Sequence, residues 1–154
     1  MSKKNRYIVT AAVIAALYAV LTLTLAPFSY GYGQLRFSEI LTVLPAFTPA
    51  AIPGLFVGCI LGNIASPYGP VDIAVGSLAT LLAACLSRIM PKKWLVPLPP
   101  IICNGVIVGA ELHFLVNAPL LPTMLYVAFG EAVVCYAGGL PLMLALSKLK
   151  RSVF

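Results

Sequence analysis

The chain has 154 residues, 61% of them hydrophobic and 9% charged, with a formal net charge of +6 and a mean hydropathy of +1.02. A soluble domain of this size cannot hide so much apolar surface, and the basic residues gather in short clusters between apolar runs; together these point to a membrane and exclude a nucleic-acid footprint. Glu39, Asp72, Glu111, Glu131 and His113 complete the acid–base inventory beside the basic residues, so any polar chemistry draws on few side chains.

The basic clusters are Lys3/Lys4/Arg6, Arg88/Lys92/Lys93 and Lys148/Lys150/Arg151. The positive-inside rule assigns all three to the cytoplasm, so an even number of crossings separates each from the next. The expected fold is therefore all-α and integral to the membrane: a compact six-helix bundle with both termini cytoplasmic. Its helices fall over residues 7–26, 37–49, 52–66, 71–90, 97–117 and 120–147, and residues 1–154 form one domain.

The first helix follows a basic start, as a signal peptide would, but its apolar run is long and lacks a convincing cleavage site, so it reads as a retained span. Ala11, Ala12, Ala15, Ala16 and Ala19 give overlapping Ala-x-x-x-Ala spacings, a small-residue face that lets another helix approach closely in lipid. Docking of a partner and packing within the bundle both fit that face.

A Gly-rich loop then delivers Arg36 and Glu39 to the mouth of the second helix. A charge at the bilayer centre costs on the order of 3 kcal/mol, so one that persists there faces a cavity, a partner or a ligand. Spacing i,i+3 puts the two on one face, where ligand contact and mutual neutralisation are both open. Pro45, Pro49 and Pro53-Gly54 break the next apolar run into a hairpin near residues 48–53. Each arm of about 14 residues rises about 21 Å, short of a hydrocarbon core about 30 Å thick.

Asn63 closes the third helix and Asp72 opens the fourth just after Pro70, where the helix dipole favours a carboxylate for capping as much as for binding. On the fifth helix Asn104 and Glu111 share a stripe, while Gly105 and Gly109 permit close packing beside it. Glu111 and Glu131 lie in apolar runs without a sequence partner, which favours function over a structural hydrogen bond. His113 stands two residues from Glu111 and cannot build the i,i+4 pair of a zinc helix, so it reads as a satisfied or interfacial side chain. Cys59, Cys85, Cys103 and Cys135 occur singly and read as small core hydrophobes, leaving neither a metal site nor a cofactor expected. Phosphate-loop, nucleophile-elbow and zinc-protease motifs are missing, so an enzyme is not expected and any ATP hydrolysis is supplied by other subunits.

On this topology the external loops gather Arg36, Glu39, Asn63, Asp72, Asn104, Glu111 and Glu131 around one outward-facing pocket. A polar pocket, no engine and a smooth first-helix face describe a binding subunit of a larger transporter.

The segments Arg36-Phe-Ser-Glu39-Ile-Leu-Thr-Val-Leu-Pro45, Pro53-Gly54-Leu-Phe-Val-Gly58-Cys-Ile-Leu-Gly-Asn63 and Asp72-Ile-Ala-Val-Gly76-Ser-Leu-Ala-Thr80-Leu resemble the QueT family. The resemblance runs through most of the chain and is densest over residues 36–82. It implies a six-helix S component of an energy-coupling factor transporter in the bacterial cell membrane, capturing a 7-deazaguanine queuosine precursor such as preQ1, queuine or queuosine. It further implies partners: a transmembrane coupling subunit, met through Ala12 and Ala16, and two cytoplasmic ATPases. For such a cargo a carboxylate accepts from the N–H edge of the base, Asn or Arg donates to its carbonyl, and Tyr30, Tyr32 and Phe37 stack on the ring. An S component for another vitamin-like substrate, a stand-alone secondary transporter or channel using Glu111 and Glu131, and a small membrane enzyme with paired carboxylates are the competing readings.

Overall fold

The computed structural model describes residues 2–30 and 35–153, with side chains as far as Leu149. Among these residues the secondary structure is entirely helical. Helix α1 (Lys3–Thr24) is capped by Ser2, whose hydroxyl accepts from the Asn5 amide at 3.2 Å. A single turn, α2 (Ala26–Ser29), follows, then a 3-10 helix over Phe37–Ala46 and α3 (Ala51–Asn63). Helix α4 (Pro70–Arg88) starts with proline in its first turn, directly after Gly69. At φ +72° and ψ −152°, Gly69 holds a backbone conformation that side chains rarely adopt, and nothing lies within 4 Å of where a Cβ would stand, so the torsion alone calls for glycine there.

The rest of the chain forms two long rods. One runs through a 3-10 turn (Lys93–Leu95), α5 (Leu98–Cys103), a π segment (Asn104–Val108) and α6 (Gly109–Val116). The other runs through α7 (Leu120–Val134), a second π segment (Cys135–Gly139) and α8 (Leu140–Val153). Asn117, at φ 53°, turns the chain between them.

Four helical stretches are long and apolar enough to cross a membrane: Lys3–Thr24, Pro70–Arg88, Lys93–Val116 and Leu120–Leu149. Each carries a row of exposed apolar side chains, such as Val13, Leu17 and Val20 on α1 or Leu121, Leu125 and Phe129 on α7. In water such faces would be liabilities; against acyl chains they are the expected surface.

The second expected helix differs most from the sequence reading. Residues 37–49 are expected as a helical arm of a hairpin; Phe37–Ala46 is instead a 3-10 helix, and it is threaded through the middle of the bundle with Ser38, Glu39, Leu41, Thr42, Val43 and Pro45 buried. Ten residues at about 2.0 Å per residue give about 20 Å, so the tighter winding spans as far as the 13-residue α3 does at about 1.5 Å. The hairpin turn itself falls at 47–50, and Arg88 Nη1 donates to the Pro45 carbonyl at 2.8 Å, tying the end of α4 to this inner strut.

Glycines set the helix separations. A Cβ on Gly54 would stand 2.8 Å from the Ala11 carbonyl, and one on Gly58 2.8 Å from both the Ala15 carbonyl and Tyr18 Cβ, so α3 lies directly on the backbone of α1. Gly105 and Gly109 do the same against Ala128 and Met124 of α7, as their spacing predicts.

Candidate functional site

Arg36 enters at the head of the inner 3-10 helix and Glu39 follows one turn later, the Glu39 amide bonding the Arg36 carbonyl at 2.9 Å. Both side chains are buried, at 4% and 0% exposure. They do not hydrogen-bond each other. Arg36 Nη1 donates to Cys59 Sγ at 3.8 Å, while its Nε and Nη2 have no hydrogen-bond partner. Glu39 Oε1 accepts from the Tyr18 hydroxyl and Oε2 has no partner. Arg36 and Glu39 are coupled through charge rather than through a direct hydrogen bond.

The remaining acidic side chains are also buried, as are Asn63 and Asn104. Asn63 Nδ2 donates to the Asp72 carbonyl at 2.9 Å, joining the end of α3 to the start of α4. Gly76 lets them sit there: a Cβ on it would lie 2.7 Å from Asn63 Nδ2 and 2.9 Å from Asp72 Oδ1. Asn104, which opens the first π segment, donates to Glu131 Oε1 at 3.0 Å, and Cys135, which opens the second, donates to Glu131 Oε2 at 3.7 Å. The two widened turns thus coincide with the polar contacts of Glu131, one between the rods and one within the second, a common setting for π segments. The Arg36 charge acts on Glu39, Glu111 and Glu131, so one electrostatic cluster spans the 3-10 helix and both rods.

Nine buried side-chain atoms among the described residues lack a hydrogen-bond partner: Nε and Nη2 of Arg36, Oε2 of Glu39, Oδ1 of Asn63, Oδ2 of Asp72, Oγ of Ser77, Oδ1 of Asn104 and both carboxylate oxygens of Glu111. A buried polar group left unpaired costs about 1–3 kcal/mol, and native chains carry few, so these atoms call for partners that the described residues do not supply. An open groove of about 480 Å³ at the Asn117–Pro119 turn, between Val116 and Tyr126, has no charged side chain and offers no comparable chemistry.

The aromatic residues expected over the pocket divide. Tyr30 donates its hydroxyl to the Gly62 carbonyl and accepts from the Tyr68 hydroxyl at its own carbonyl, at 3.1 Å, closing the ends of α2 and α3 together. Burial raises the Tyr30 phenol above its ordinary pKa, keeping it a neutral donor. Phe37 meets Phe28 edge-on at 6.3 Å and is partly exposed. Tyr32 lies outside the described residues.

A family model described as "QueT transporter" matches residues 8–148. The chain belongs to the QueT transporter family. A relative in Lactococcus lactis, named queuosine precursor transporter QueT, is 40% identical over 93 residues. That match covers 58% of this chain and 54% of the relative, so it spans about half the length of that protein. No solved structure matches. Membership of this family agrees with the four helices among the described residues that are long and apolar enough to cross a membrane.

Several buried groups of this QueT-family chain escaped the sequence reading. Tyr18 looks like one more apolar position of α1, yet its hydroxyl anchors Glu39. Cys59 was expected as a core hydrophobe; its sulfur is a soft acceptor for Arg36, for Asn63 at 3.6 Å and for Thr80 at 3.4 Å. Ser77 carries one of the unpartnered atoms. The available signal was the stripe Asp72, Gly76, Thr80 at four-residue spacing, which marks one small, polar face of α4. His113 places Nδ1 2.6 Å from the Ala118 carbonyl, a local contact at the turn.

The five alanines also divide. Ala15 and Ala19 are buried inside the bundle and Ala11 lends its carbonyl to the Gly54 contact, whereas Ala12 and Ala16 face outward.

Proposed function

We propose that this chain is the substrate-capturing S component of an energy-coupling factor transporter in a bacterial cell membrane, and that its cargo is a 7-deazaguanine queuosine precursor. The observation that carries the reading is the set of nine unpartnered polar atoms within a chain of this family. A 7-deazaguanine is flat, with an N–H and amino edge that a carboxylate accepts in parallel and a carbonyl that a guanidinium satisfies. Arg36 is the donor to the carbonyl; Glu39, Asp72 and Glu131, with Asn63 and Asn104, supply and shape the accepting edge, and Glu111 is left for the ring substituent. The printed name of the Lactococcus relative supports the cargo class.

The chain crosses the membrane six times with both termini in the cytoplasm; the three basic clusters and the two shorter helices Phe37–Ala46 and Ala51–Asn63 support that arrangement. Exposed Ala12 and Ala16 meet the coupling subunit, which is driven by two ATPases. Calorimetry on the purified protein in detergent tests the reading. It requires heat of binding with preQ1, queuine or queuosine without ATP or any partner. Silence with all three, alongside binding of riboflavin or thiamin, would replace the cargo, and uptake in cells lacking the coupling ATPases would replace the S-component role with a stand-alone transporter.

A further inference from the structure

The unpartnered atoms are unequally divided. Six are pure acceptors, two are the Arg36 donors, and the last is the Ser77 hydroxyl, which serves either way. Charge is unequal in the same direction, with four buried carboxylates around one buried guanidinium. A molecule that satisfies this array is rich in donors and carries positive charge.

The carboxylates are not equivalent toward such a molecule. Glu39 accepts from Tyr18, and Glu131 accepts from Asn104 and Cys135 through its two oxygens. Asp72 sits in the first turn of α4, where the helix N-terminus offsets its charge, and only its Oδ2 is among the unpartnered atoms. Glu111 is 6% exposed, lies where the π segment runs without a break into α6 so that no free helix N-terminus offsets its charge, and has both oxygens unpartnered. No protein donor is assigned to it, so the ligand must bring one.

Building on the deazaguanine reading above, we infer that Glu111 is the specificity residue for an ammonium substituent on the ring, so that the site prefers a 7-aminomethyl deazaguanine over its neutral 7-cyano counterpart. An ammonium offers three N–H donors and a unit charge, which complement two free carboxylate oxygens; a nitrile is an acceptor and would add to the surplus. A proton resident on Glu111 would make the opposite prediction, because a carboxylic acid donates and glutamine would then substitute for it.

The test is calorimetry with both compounds on the full chain in detergent, comparing wild type with Glu111→Gln. Wild type is expected to bind the aminomethyl compound about 30-fold more tightly, and Glu111→Gln to bring the two within about threefold by weakening the aminomethyl compound alone. Equal binding of the two compounds by wild type overturns the inference without recourse to any variant. A wild-type preference that survives in Glu111→Gln overturns it too, as does loss of both compounds in that variant, which would make Glu111 a structural residue. Failure of wild type to bind either compound overturns the deazaguanine reading and the inference with it.

Discussion

Where α1 meets α3, the glycines at 54, 58 and 62 receive atoms of α1 at 2.8–3.0 Å from where a Cβ would stand, and the hydroxyls of α1 beside them are matched on the neighbouring 3-10 helix: Thr22 donates to Ser38 Oγ at 2.7 Å and Tyr18 to Glu39. Around Arg36 the residues are just as deeply buried, but nine polar atoms lack partners. The first region is built for packing, since lipid supplies no hydrophobic drive between helices and close backbone approach must supply dispersion instead. The second is costly to the isolated chain, which is sustained because the surrounding helices are held by the first.

Substitutions in the two regions should therefore separate binding from stability. The largest effect on binding is expected from Arg36→Gln, which removes the guanidinium donors from the cluster; affinity for a deazaguanine should fall by about 100-fold or more, measured by calorimetry. Gly58→Val attacks the packed seam instead. Its side chain would collide with the Ala15 carbonyl and Tyr18 Cβ, costing about 1–3 kcal/mol and lowering the melting temperature in detergent, with any effect on affinity following from that loss.

Tyr18→Phe joins the two regions, because it preserves the ring in the α1 seam while depriving Glu39 of its donor. About 1 kcal/mol of stability and a several-fold loss of affinity should appear together; a change in only one would show that the regions are independent. Ala12→Trp and Ala16→Trp should leave ligand affinity and melting temperature nearly unchanged, because both positions face outward, while abolishing uptake in cells. Loss of binding in these variants would mean that the outward face is part of the bundle's own packing.

The inner 3-10 helix shows where pattern reading stops. Its prolines mark the break at 45–53, and the turn does fall at 47–50. What periodicity cannot distinguish is an apolar segment that faces lipid from one that faces protein, since both are apolar in a membrane. The pattern of Phe37–Ala46 reads only as a short apolar arm, and in the fold most of its side chains face protein. The same ambiguity covers the alanines of α1: spacing puts Ala11, Ala15 and Ala19 on one stripe and Ala12 and Ala16 on another, but only the glycines of a helix distant in sequence decide which stripe is used.

The sequence by itself determined that the protein is helical and membrane-bound, where its chain breaks, and which few side chains carry charge, because hydropathy, proline and basic clusters act locally along the chain. It also carried enough of the motif pattern to announce the family. The tertiary structure alone decided that Arg36 and Glu39 do not hydrogen-bond each other, that Tyr18 and Cys59 join the cluster, and that Glu111 is left with two free oxygens. Those outcomes depend on which donors from distant segments arrive within about 3 Å of each acceptor, a matter of three-dimensional register that no local pattern encodes.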